Sequence, residues 1–191
     1  MHLDETVDLC MFLIAVQKVQ WYNNNRNVRI SHNTFELEEL NMFDSFLIKE
    51  GSLENFTENG KVAGFKFAVH IADYRGAFLS LHNGYFIEVD GVVYPREVQK
   101  FEINGKAPRT FEEIKKAVWE HWDYDDFGIV WVYCDGGLSA GAHRLGLQQS
   151  VLAQYGYGAH DQEWIDNPPV PGSGAGSGKT RNVCYYDLEV K

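Results

Sequence analysis

Residues 172–180 read GSGAGSGKT, and Gly178, Lys179 and Thr180 are how a phosphate-binding loop ends. The pattern asks for a first Gly at position 173, where this chain has Ser173. Such a loop also has to leave a buried strand and open a helix whose amides hold the phosphates. Upstream stands NPPVP, residues 167–171, whose prolines cannot donate ladder hydrogen bonds. Downstream, RNVCYYDLEVK has β-forming residues without helical spacing and predicts a final strand. The stretch therefore reads as a flexible Gly/Ser loop rather than a nucleotide site.

Acid–base and metal chemistry leave equally little trace. His70, His82, His121 and His143 could each act as a general base because imidazole titrates near neutrality. None has a partner motif, so each reads as a surface or satisfied strand histidine before it reads as a base. The seven histidines form no HxH or HxxxH pair, and no CxxC is present, which argues against a metal site in this chain. Cys10, Cys134 and Cys184 are odd in number and far apart, as expected of reduced thiols in a cytoplasm. A net charge of -10 without Lys/Arg clusters argues against a nucleic-acid partner.

The elements that must carry any site are mostly strands. In GFKFAVHI, Phe65, Phe67, Val69 and Ile71 alternate with Lys66, Ala68 and His70, the period that turns one face inward. Asp90-Gly91 lies between two apolar runs and predicts a type I′ hairpin, and Asn104-Gly105 repeats the logic. Thr110 with Glu113 is a capping box opening one short helix. AVWEHW and FGIVWVYC predict two strands around a turn at 124–126, and HRLGLQQSVLAQY another. The expectation is an all-β fold, an antiparallel β-sandwich that is jelly-roll-like, with one short helix.

Residues 42–191 would form that domain, and residues 1–41 an N-terminal extension. Its apolar run VDLCMFLIAV lacks the basic flank of a signal peptide and is short for a membrane span. Glu38-Glu39 can be encoded by a purine run just before the Met42 codon, the layout of a ribosome-binding site, so the extension is expected to be an over-long reading frame or poorly packed. The alternative is an amphipathic helix over residues 5–20. The whole is read as cytoplasmic, with no membrane partner.

MFDSFLIKEGSLENFTENGKVAGFKF, then ADYRGAFLSL, VDGVVYPREVQKFEINGKAPRTFEEI and GGLSAGAHRLGLQQSV, in that order and spacing, resemble the β subunit of bacterial C-glycoside deglycosidases. The resemblance covers roughly Met42 to Lys191; neither the N-terminal extension nor the Gly/Ser loop belongs to it. It implies a supporting subunit, inactive alone, with no cofactor of its own. The implied partner is an α subunit resembling sugar isomerases and epimerases, a TIM barrel holding a divalent metal, manganese, and the main acid/base residues, in a higher hetero-oligomer. The implied substrate is a 3-oxo-C-glycoside of a flavonoid or related phenol, cleaved between sugar and ring by a lyase-type elimination.

The resemblance assigns no individual residue a role. Candidates for partner-interface or active-site support come from local chemistry: Tyr74, Arg75 and Gly76 in a tight turn, and Pro95 with Arg96 after the Asp90-Gly91 hairpin. Each arginine either pairs with a partner carboxylate or folds back over its own sandwich. Trp119, Trp122 and Trp131 either meet a partner or ligand or pack in the core. Residues 155–169 read as a long aromatic loop that either covers a neighbouring active site or is a disordered excursion. A different class remains open: a carbohydrate-binding sandwich whose exposed aromatics stack on sugars.

Overall fold

The computed structural model describes residues 47–72, 75–152, 161–173 and 183–190. The expectations for residues 1–41, Tyr74 and most of the Gly/Ser loop lie outside those residues. Ten strands follow in order: β1 Glu54–Glu58, β2 Lys61–Val69, β3 Ala77–Phe78, β4 His82–Val89, β5 Val92–Tyr94, β6 Gln99–Glu102, β7 His121–Trp122, β8 Gly128–Tyr133, β9 Gly141–Val151 and β10 Cys184–Val190. Every pairing is antiparallel. One four-stranded sheet runs β1-β2-β8-β6, a second β10-β9-β4-β5, and β3 pairs with β7 as a separate ribbon.

The period-two patterns place the core. Phe65, Phe67 and Val69 of β2, Val130 and Val132 of β8, and Phe101 of β6 are buried, as are Tyr85, Ile87 and Val89 of β4 and Leu145 and Leu147 of β9. They form one apolar cluster, as expected for strands that each turn one face inward. The turns follow their sequences. Asp90 and Gly91 both have positive φ, 52° and 84°, and join β4 to β5. Asn104 and Gly105, at 58° and 66°, turn the chain so that Arg109 bridges back to Phe101.

Helix α1, Phe111–Ile114, opens with the expected capping box. The Thr110 N–H donates to Glu113 Oε2 at 2.8 Å, and Glu113 N–H donates back to Thr110 Oγ1 at 3.3 Å. Two expectations need correcting. A second short helix, α2 Asp161–Asp166, lies in the stretch read as a loop. AVWEHW is not a full strand: Ala117 to Glu120 form a β-turn, closed by Glu120 N–H donating to Ala117 O, and only His121–Trp122 pair. The all-β reading holds, and so does the last strand, in which β10 pairs along β9 from Cys184 to Val190. A strand there, instead of a helix, removes what a phosphate loop would need.

Candidate functional site

The Asp90-Gly91 hairpin delivers its second arm into Pro95, and Arg96–Val98 then make a single 3-10 turn. The fixed φ of proline starts that turn and aims Arg96 back across β4. Arg96 Nε donates to the Asn83 carbonyl at 2.7 Å, Nη1 donates to Glu112 at 2.8 Å, and the guanidinium stands 5.6 Å from the Phe111 ring centre. The hydrogen bond from Arg96, and then its charge, hold the Glu112 carboxyl below its ordinary range. Beside Arg96 lies a trough of about 520 Å³, walled by Phe86, Val93, Pro95, Pro169 and Val170. That volume is within the range of small-molecule sites.

The far wall is tied down by one side chain. Asn83, buried on β4, donates from Nδ2 to the Pro169 carbonyl at 2.8 Å and to Ser150 at 3.1 Å. Gln99 does the matching work on the sheet edge. Its amide accepts from Tyr85 N–H and donates to the carbonyls of Tyr85 and Tyr94 at 2.8 and 3.0 Å. A buried amide so placed imitates a neighbouring strand and satisfies backbone groups that β5 is too short to reach. Asn83, Arg96 and Gln99, the side chains that shape the trough, are thus each paired within the fold.

The other candidate turn packs against different elements. Tyr74 lies outside the described residues; Arg75 is exposed, and Gly76 is buried at φ 72°. A Cβ on Gly76 would stand 2.1 Å from the Trp122 carbonyl oxygen, so only glycine lets the chain enter β3 against β7. Arg75-Gly76 therefore belongs to the β3–β7 ribbon, and Pro95-Arg96 to β4 and α1.

The histidines separate clearly. His82 is fully buried among Tyr85, Phe101, Phe111 and Trp122, three of the four rings meeting it edge-on or nearly so. Neither ring nitrogen has a hydrogen-bond partner, and burial, with Arg96 nearby, lowers its pKa to about 3. It is a neutral core residue. His143 is the opposite case: Nδ1 lies 2.6 Å from Asp90 and Nε2 2.8 Å from the Ser139 carbonyl. Both nitrogens facing acceptors raise its pKa and favour an imidazolium, which leaves no lone pair for base catalysis. His121 pairs with Asp123 at 2.7 Å, and His70 lies tilted against Phe127 with ring centres 3.8 Å apart.

Sequence reasoning missed the charge cluster that closes over the two ends of α1. Arg109 makes a two-pronged bond to Glu120, at 2.8 and 2.9 Å, and Lys106 adds a third contact at 2.7 Å. These hydrogen bonds lower the Glu120 pKa to about 2. Only the tertiary fold brings these residues together; the Asn104-Gly105 turn was the sole hint. The tryptophans also part ways: Trp122 is fully buried, Trp131 is half-buried and donates to Glu102 at 2.8 Å, and Trp119 is 92% exposed. Among the described residues no three His, Cys, Asp or Glu side chains gather as a metal site would require, and no helix is long and apolar enough to cross a membrane.

Comparison with known proteins then bears on this geometry. The family model described as C-glycoside deglycosidase beta subunit matches residues 43–155, the span from before β1 to beyond β9. A curated protein of Eubacterium cellulosolvens, named C-glycoside deglycosidase beta subunit, is 33% identical over 87 residues, covering 46% of this chain and 58% of that protein.

Proposed function

The chain belongs to the C-glycoside deglycosidase beta subunit family, and on that premise we propose that it is the supporting subunit of a two-protein enzyme that splits the carbon–carbon bond of 3-oxo-C-glycosides. The observation that carries this reading is the family match, which takes in β1 to β9 and leaves out only β10 among the described strands. The pairing seen in the site agrees with it. Arg96, His143 and Glu120 are each engaged within the sandwich. They hold shape and are not poised to exchange protons with a substrate.

The reaction proposed for the complex needs little from such a subunit beyond shape. A C-glycoside has no leaving oxygen to protonate, so a pair of glycosidase carboxylates would not serve. A ketone at C3 acidifies the C2 proton; a base removes it, and the aromatic ring leaves with its bonding electrons as its carbon is protonated. A divalent metal, manganese in this proposal, would sit on an isomerase-like α subunit and stabilise the enolate oxygen. This chain would bind that subunit in the cytoplasm and fix the walls around its active site, with the trough beside Arg96 as a rigid, internally neutral wall. Alone it would be inactive.

Association tests the reading. Co-expressed with an isomerase-like α subunit of the same source, the chain should co-purify as a defined complex. Elution of the two as separate species, together with binding of simple sugars by the lone sandwich, would instead favour a carbohydrate-binding module.

A further inference from the structure

Among the described residues nine large apolar side chains are exposed, and five of them fall on one stretch of chain and the strand paired with it. Phe78, Val118, Trp119, Tyr124 and Phe127 all lie on residues 118–127 or on β3, the strand paired with that segment. Val118 is 52% exposed and Trp119 92%, and together they form the tip of the 117–120 turn. Phe78 lies across the ribbon, edge-on to His121 at 5.3 Å. An indole left almost wholly in water is the informative case, since large aromatic side chains normally bury most of their surface.

The turn that presents Trp119 is fixed at its base on every side. Ala117 N–H donates to Ile114 O at 2.9 Å, and Leu79 N–H donates to Glu120 O at 2.9 Å. Asn104 Nδ2 donates to His121 O at 3.1 Å, and the Glu120 side chain is clamped by Arg109 and Lys106. Trp122, one strand position beyond His121, is anchored in the core and donates to Asp126 O at 2.9 Å. A rigid scaffold thus holds an exposed aromatic anchor, so little ordering remains to be done when it binds.

We infer that the 117–120 turn together with the β3–β7 ribbon beside it, Trp119 foremost, is the surface that docks the α subunit. The inference rests on the two-subunit reading above. A convex turn tip cannot enclose a small molecule, whose sites are concave; it fits a recess on another protein. Lys115 and Lys116 are exposed on one side of the turn and Asp123, Asp125 and Asp126 on the other, so the recess should be apolar with charges of both signs at its rim. The Arg75-Gly76 turn leads directly into this surface and sets its register.

The test is a binding titration, by sedimentation or calorimetry, of the full chain against the purified isomerase-like α subunit. Trp119→Ala should weaken the complex about 30-fold or more, the loss typical of a central aromatic anchor. Trp119→Phe should recover part of it, and Tyr185→Ala, an exposed aromatic on the opposite sheet edge, should change it by less than about 3-fold. Unchanged thermal unfolding of the lone Trp119→Ala chain would show that folding is intact. Wild-type affinity in Trp119→Ala would overturn this surface while the subunit reading stands. Self-association of the wild-type chain that Trp119→Ala abolishes, with α-subunit affinity unaltered, would overturn the choice of occupant. Failure of the wild-type chain to bind would overturn both the surface and the reading beneath it.

Discussion

The trough beside Arg96 and the turn carrying Trp119 are built from different elements, and their side chains are engaged in different ways. In the trough, the groups nearest its floor already have partners: Arg96 holds Asn83 and Glu112, Asn83 holds Pro169, and Gln99 spans two strands. In the ribbon the polar groups are also paired, yet the apolar ones project into water. A cavity is thus a poor guide to function here. The surface with unfinished business is the convex one, because a paired charge has little left to offer whereas exposed aromatic area gains by burial.

The largest effect should come from the core both regions share. His82 touches Phe111 on the trough side and Trp122 on the ribbon side. Its pKa is lowered to about 3 in the fold, against about 6.5 unfolded. The neutral ring therefore costs nothing above pH 6.5, and stability falls as pH drops from there toward 3. The slope should be about 1.4 kcal/mol per pH unit, reaching about 4–5 kcal/mol at the lower end. Urea unfolding of wild type and His82→Leu across that range should show the slope shrinking in the variant. Equal slopes would place the acid sensitivity elsewhere. His143 has the opposite sign, since its raised pKa gives stability below pH 6.5 that fades as pH rises through the folded value.

Gly76→Ala comes next. Its φ of 72° and the 2.1 Å approach of the Trp122 carbonyl should cost about 3 kcal/mol, read from the urea midpoint, because backbone must move. A smaller loss would mean that the ribbon is not held as firmly as its bonds suggest. Arg96→Ala should cost about 2 kcal/mol by the same measurement, chiefly by leaving the Asn83 carbonyl without its donor. A neutral result there would reopen Arg96 as a residue kept for binding. Trp119→Ala should be the smallest, within about 0.5 kcal/mol of wild type, as for a surface side chain. A large loss would contradict the reading of Trp119 as an outward anchor.

Local rules made much of the fold legible. The Asp90-Gly91 hairpin, the Thr110 capping box and the alternation in β2 are each decided by residues a few positions apart, and each stands as the sequence implied. What failed to show was decided across the chain. AVWEHW has strand composition, but Glu120 is drawn to Arg109 and Lys106, and the chain turns at 117–120 before pairing begins. That turn separates Trp119 from Trp122, so two nearby tryptophans end in water and in the core. Gln99 as a surrogate strand, and His143 joined to Asp90 over 53 residues, carry no spacing that a reader of the sequence could recognise.

The central claim is that this sandwich supports chemistry carried by another chain. The most direct measurement is aglycone release from a 3-oxo-C-glucoside with manganese, by the α subunit alone, this chain alone and the two together. The account predicts release only from the two together, with Trp119→Ala shifting the concentration of this chain needed for half-maximal rate. Full activity of the α subunit alone, or activity of this chain alone, would contradict it.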